Sequence, residues 1–154
     1  MDAFSTPLLK YLRALPNSVV NHVFEASPSD MPRPTPQTAR QDRHVYLTAK
    51  YVARQFILPF DGTPEDLQAA FSEAILRDDV ARCLELIVQG ASIDVPLMVN
   101  GSEVEPMQAV IERRLSAMAI MLLLWGRDVN APFEDGRNPL LLAVTTQVRC
   151  CVDV

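Results

Sequence analysis

The stretch Ser72–Asp94, SEAILRDDVARCLELIVQGASID, holds two apolar helical runs split by the polar Arg77-Asp78-Asp79 and closed by Gly90. It is either a single hairpin of helices or one unit of a repeat, and a second copy decides between the two. Glu105–Asn130, EPMQAVIERRLSAMAIMLLLWGRDVN, lies over it when Gly90 is matched to Gly126. A third start, GRNPLLLAVTT, follows from Gly136. With Ala69, Glu105 and Asn138 as equivalent first positions, the spacings are 36 and 33 residues. Matched positions agree in chemistry: Phe71, Met107 and Leu140; Ala74, Val110 and Ala143; Leu86-Ile87 and Leu122-Leu123; Asp94 and Asn130.

Thirty-three residues is the ankyrin period, and 36 is that period with a three-residue loop insertion. Pro106 and Pro139 fall where the ankyrin T-P-L-H signature has its proline, although no unit keeps the full signature. Proline just inside a helix start loses no hydrogen bond and has its φ already set. Small Ala74 and Ala143 let antiparallel helices approach, and Gly90 and Gly126 suit the left-handed residue that ends a helix. The competing reading is that Leu-rich amphipathic helices of any bundle give such matches by chance.

The chain has 154 residues, 49% of them hydrophobic and 6% aromatic, which suits helices packed through Leu, Val, Ile and Ala. Its net charge of −5 gives no reason to expect nucleic acid or an anionic membrane as a direct partner. The run SAMAIMLLLW is too short to span a bilayer and reads as a buried repeat helix, so no membrane insertion is expected. MDAFSTPLLKYLR carries an early acid and no signal-peptide apolar core, which predicts a cytoplasmic protein. Cys83 reads as a small buried hydrophobe. Cys150 and Cys151 are adjacent, a spacing that suits neither a zinc knuckle nor an ordinary disulfide.

Ahead of the repeats, Thr6-Pro7 predicts a capped helix through Leu8, Leu9, Leu12 and Leu15, broken by Pro16. Asn17 then caps a second helix with Val19, Val20, Val23 and Phe24 on its apolar face. Residues 27–42, with Pro28, Pro32, Pro34 and Pro36 but no P-x-x-P, read as a stiff polar linker. RHVYLTAKYVARQFILPF predicts a helix with Val45, Tyr46, Ala49, Val52, Ala53 and Phe56 inside and Arg43, Lys50 and Arg54 outside. In DGTPEDLQ, Thr63 is the cap, Pro64 the first helical residue and Asp66 the capping-box acid.

The order of these parts resembles the ankyrin-repeat class of Arf GTPase-activating proteins (ArfGAPs), often built with BAR and PH domains. Asp2, Phe4, Leu9, Asn17, Asn21, Phe24 and Glu25 match the family's D-x-W-x-x-x-x-L and G-N-x-x-x-N-x-x-[YF]-E elements, and Tyr46, Leu47, Lys50 and Tyr51 its Y-[IL]-x-x-K-Y helix. Phe4 stands in place of tryptophan and Pro16 in place of glycine. The resemblance implies an all-α fold. Residues 1–60 would be the C-terminal half of an ArfGAP-like domain, 61–146 ankyrin repeats in about two and a half units (67–94, 105–130 and 136–146), and 147–154 an atypical tail. It implies stimulation of GTP hydrolysis by Arf-type small GTPases, a role in vesicle trafficking, and peripheral placement at endosomal or Golgi membranes.

The family's catalytic half begins with a C-x₂-C…C-x₂-C zinc finger followed by an essential arginine, and no residues here match either. Cys83, Cys150, Cys151, His22 and His44 are too scattered to build a tetrahedral zinc site. No metal or cofactor is therefore expected, zinc being a feature of the parent family. An arginine finger is worth about 10³–10⁵ in rate; Arg13, Arg40, Arg43 and Arg54 read instead as solvated helix or linker charges. Asp78-Asp79 reads as a turn between paired helices rather than a carboxylate dyad, and His22 and His44 have no nucleophile nearby in sequence. Trp125, the only tryptophan, reads as packing at a helix end with an alternative role in partner contact. No catalytic residue is assigned. The expected contacts to an Arf-type GTPase or other partner are Asn17, Asn21, Arg43, Lys50 and Trp125, with a protein or peptide ligand on the repeat surface. The expectation is a catalytically incomplete fragment that keeps protein-binding parts, with a fraying tail; a non-enzymatic ankyrin adaptor is the alternative.

Overall fold

Thr63 opens the repeat region as its spacing dictates. Its hydroxyl accepts from the Asp66 amide at 3.1 Å while the Asp66 carboxylate accepts from the Thr63 amide at 3.1 Å, a reciprocal capping box. The computed structural model describes residues 5–146. The expectations for Asp2, Phe4, Cys150, Cys151 and the tail 147–154 lie outside the described residues. In chain order the elements are α1 (Thr6–Ala14), α2 (Asn17–Phe24), α3 (Arg40–Leu47), a π-helical turn (Thr48–Val52), α4 (Pro64–Leu76), α5 (Val80–Val88), β1 (Leu97–Val99), β2 (Ser102–Val104), α6 (Pro106–Glu112), α7 (Ser116–Leu124) and α8 (Pro139–Thr145). The described fold is all-α apart from this one two-stranded hairpin.

The helix pairs α4–α5 and α6–α7 repeat in backbone detail at a 36-residue offset. Asp78 and Arg114 both sit at left-handed φ, +58° and +59°, in the turn between paired helices. The Asp79 amide donates to Ala74 and the Leu115 amide to Val110; Ala91 donates to Leu86 and Arg127 to Leu122. Gly90 (φ +113°) and Gly126 (φ +104°) end the second helices, a conformation that costs a side chain strain. Burial repeats too. Phe71 and Met107, Ile75 and Ile111, and Leu86 and Leu122 are each buried at 0–1% exposure. Amphipathic chance does not reproduce a turn hydrogen bond by hydrogen bond.

The extra residues between the first two units form the β-hairpin. Leu97 and Phe133, also 36 apart, are both core residues. Leu97 lies nine positions before Pro106 and Phe133 only six before Pro139. The difference is taken up around Asn100-Gly101, both at positive φ, where Leu97 pairs with Val104 and Val99 with Ser102. Asn-Gly between short apolar runs is the sequence signal for such a turn.

Several local expectations are corrected. Thr6 is the first residue of α1 with Ser5 before it, and Asn17 the first of α2 with Pro16 before it; neither gives a side-chain cap. α3 begins at Arg40, so the helix takes the last residues of the 27–42 linker. Val52 and Val45, expected inside, are 77% and 51% exposed, Ala53 is exposed, and Lys50, expected outside, is 4% exposed. The π-helical turn is the reason. The Ala53 amide reaches back five residues to Thr48, and the extra residue rotates the rest of the turn off the 3.6 period. Leu123, which the repeat register places in the inter-repeat core, is only half-buried, and Leu122 takes the core position. Leu140 is exposed although the matched Phe71 and Met107 are fully buried.

One continuous core runs from the repeats into the N-terminal helices. α1 packs on α7 and α5, α2 on α5, and Val23 and Phe24 join Phe71, Leu86 and Met118. A smaller cluster of Tyr46, Ala49 and Phe56, with Met31 against it, holds α3 and the linker. No helix among the described residues is long and apolar enough to cross a membrane. Leu122→Ala should cost about 2–5 kcal/mol in urea denaturation, and Leu123→Ala distinctly less. Equal midpoints for the two variants would contradict this packing register.

Candidate functional site

α2 ends at Phe24, and the next residue, Glu25, turns its carboxylate inward at the crossing of α2, the linker and α3. Lys50 on the π-helical turn meets it: the ammonium donates to Glu25 Oε1 at 2.7 Å and to Asn21 Oδ1 at 2.6 Å. The Tyr46 hydroxyl donates to the same Oε1 at 3.0 Å, and Arg33 from the linker pairs with Oε2. The Lys50 ammonium also lies 4.8 Å from the Tyr51 ring centroid, and that ring meets Phe24 edge-on at 5.0 Å.

Burial alone would raise the Glu25 pKa, but hydrogen bonds from Lys50 and Tyr46 and the charges of Lys50 and Arg33 outweigh it and hold it below the ordinary value. Burial likewise pulls Lys50 down, and its Glu25 partner carries it above the ordinary lysine value. Tyr46 is raised, first by burial and then by the carboxylate that accepts its proton. Both charges of the pair are thus held on. A carboxylate and an ammonium locked in this way are a fastening, with no group poised to exchange a proton near neutral pH.

Of the five expected contact residues, the fold joins two, Asn21 and Lys50, and does so through their own hydrogen bond. Asn17 lies exposed one turn before Asn21 on α2. Arg43 is exposed on α3 and makes no ion pair among the described residues. Trp125 stands apart at the end of α7, half-buried against the core. Arg54 reaches it, with its guanidinium carbon 6.0 Å from the ring centroid and an N–H donated to the Val88 carbonyl at 3.2 Å. Arg54, at φ +50°, thereby ties the end of the π-helical turn to the ends of α5 and α7.

The remaining candidates are structural. Asp79 caps α5 by accepting from the Arg82 amide at 3.0 Å, and Asp78 accepts from Lys10 at 2.7 Å, which joins α1 to the first repeat. The Cys83 thiol is pushed up to about 12 by burial and then by Asp79 and Asp78, so it stays protonated. Among the described residues no three His, Cys, Asp or Glu side chains converge as a metal site would require.

Two features were missed by reading helical period and total charge. With Lys50 inward, α3 and its π-helical turn leave Val45, Leu47, Tyr51 and Val52 at 44–77% exposure. Charge is also segregated along the chain. Ser5–Phe56 holds seven Lys and Arg against three Asp and Glu, net +4, whereas Ile57–Thr146 holds six against fourteen, net −8. Counting by halves finds this in the sequence; the total of −5 hides it.

No model of a known protein family matches the chain. Curated relatives match in part, among them the chicken, human and mouse proteins named "Arf-GAP with coiled-coil, ANK repeat and PH domain-containing protein 2". The mouse protein is 40% identical over 108 residues, 68% of this chain and 13% of its own length. The chicken protein is 37% identical over 59 residues and the human protein 40% over 58, each match covering 37% of this chain and 8% of the relative. The chain thus spans about a tenth of the length of these relatives.

The fastening is open to a direct test. Lys50→Met should cost about 3 kcal/mol by stranding a buried carboxylate, while the paired change Glu25→Leu with Lys50→Met should recover most of that loss. The depressed Glu25 contributes stability that is full above the ordinary carboxylate pKa of about 4.3 and is lost as pH falls through the lower folded value. The raised Lys50 contributes stability that is full below about 10.4 and is lost as pH rises through its higher folded value. Denaturant midpoints across pH should show both limbs in the wild type, and both should shrink in the double variant.

Proposed function

We propose that this chain, a partial relative of the ankyrin-repeat ArfGAP class, is a protein-binding module. In this reading its N-terminal helices engage an Arf-type small GTPase without accelerating GTP hydrolysis, and its repeats hold a protein or peptide ligand. The observation that carries the reading is the use made of the matched Tyr46-Leu47-x-x-Lys50-Tyr51 segment. Tyr46 and Lys50 are spent on Glu25, and the segment's other side turns large apolar groups to solvent. That is how a rigid recognition helix is built rather than a reaction centre.

Stabilising a phosphoryl-transfer transition state takes an arginine held in place against the phosphates. Arg33, Arg82, Arg127 and Arg137 are engaged with carboxylates, and Arg54 with the Val88 carbonyl. Arg13, Arg40 and Arg43 stand on exposed helix positions, with no ion pair or side-chain hydrogen bond among the described residues to orient them. The acidic balance of the repeat half favours the second reading, an adaptor whose repeats take a basic ligand.

Calorimetric titration of Arf loaded with a slowly hydrolysed GTP analogue, paired with single-turnover GTP hydrolysis, separates the parts of the proposal. Binding in the micromolar range with no acceleration is expected. A hundredfold stimulation, about 2.7 kcal/mol of barrier, would refute the non-catalytic part. Absence of binding would remove the GTPase as partner and leave the adaptor.

A further inference from the structure

We infer that the outer side of α3 and its π-helical turn is a docking surface for a helix of another protein, one with an aliphatic stripe flanked by carboxylates. This deepens the reading above: it rests on the chain being a protein-binding module, but not on the partner being an Arf-type GTPase. Leu47, Tyr51 and Val52 are exposed on successive turns, with Val52 at 77% and Tyr51 keeping one edge of its ring on Phe24, and Val45 is exposed on the flank of this strip. A surface helix ordinarily turns its apolar side to the core. Here the core side is taken by Tyr46, Ala49 and the buried Lys50, so the outward apolar side is fixed by the fold.

Charge identifies the occupant. Arg40 and Arg43 on α3 are exposed and without ion pairs among the described residues, they outnumber the one exposed carboxylate of the helix, Asp42, and they belong to the half of the chain that is net +4. Tyrosine and arginine are among the side chains enriched at protein interfaces. Two copies joined through this patch would bring four arginines of α3 into one interface with only the two Asp42 carboxylates of the same helices to offset them. Anionic lipid sites gather about four to eight basic residues, and α3 offers two arginines. An acidic amphipathic helix satisfies both the stripe and the charges.

The test uses the full chain and a fluorescent helical peptide with leucines at i, i+3, i+4 and i+7 flanked by glutamates, beside a copy with lysines for the glutamates. Anisotropy should show the glutamate peptide binding at least about tenfold tighter, with the preference shrinking between about 50 and 500 mM salt. Val52→Asp should abolish binding without shifting the melting temperature. The pair Arg40→Glu with Arg43→Glu should transfer the preference to the lysine peptide, while Leu124→Asp on α7 should change nothing. Equal binding of both peptides, or indifference to Val52→Asp, would overturn the proposal. So would Val52-dependent binding to phosphatidylserine vesicles without a peptide preference, which would make the face a membrane contact. Val52-dependent self-association in sedimentation would overturn it in favour of a second copy. If Arf binds and neither peptide does, the face is refuted and the functional reading stands; if the peptide pattern appears and Arf does not bind, the face stands and the GTPase is removed as partner.

Discussion

A carboxylate out of water must be met by donors or opposite charge, and Glu25, just past the end of α2, is met from two separate parts of the chain. Lys50 and Tyr46 approach from α3 and its π-helical turn, and Arg33 from the linker. Removing one partner of such a pair costs far more than the pair contributes over an apolar replacement, so its main effect is to specify geometry. In this chain the geometry specified is the rotation of α3. Once Lys50 is drawn to Glu25 and Asn21, Val52 can only point away, and the apolar outer side of the helix follows from an ionic requirement on its inner side.

The repeats supply the platform for that arrangement. Their paired helices close with the same turn twice, including a left-handed residue at Asp78 and at Arg114, neither of them glycine. Holding such residues there is unfavourable by itself and persists because the surrounding helix pair over-determines the turn. Onto this stack α1, α2 and the π-helical turn are fastened from several directions: Val23 and Phe24 in the common core, Lys10 to Asp78, and Arg54, just past the turn, to Val88 and Trp125. A basic N-terminal unit is thereby carried on an acidic stack, two surfaces of opposite sign on one chain.

The likeness to ArfGAPs is borne by residues with quite different fates. Asn21, Glu25, Tyr46 and Lys50 form one hydrogen-bonded network, so part of what the family pattern specifies in this chain is the joint between α2 and α3. Leu47 and Tyr51, from the same motif, are left at the surface. The five contact residues proposed from the sequence are therefore not equivalent. Lys50 and Asn21 act on each other, Trp125 belongs with Arg54, and Asn17 and Arg43 are open to solvent.

The sequence by itself determined the features that depend on near neighbours. The Thr63-Pro64-x-Asp66 cap, the glycine ends at Gly90 and Gly126, the all-α class and the repeat spacing all follow from contacts within a few residues, or from a period carried by many residues at once. The hairpin at Asn100-Gly101 and the split of charge between the two halves were equally present in the letters, because turn chemistry and charge need no partner to be read. Only the tertiary structure decided which way α3 faces. A 3.6 period places Val52 inside and Lys50 outside, and nothing within the helix contradicts it. The reversal needs a π-helical turn and a carboxylate 25 residues earlier in the chain. The choice of Leu122 over Leu123 as the core residue belongs to the same class, since a helix that is apolar all round does not say which side its neighbours will cover.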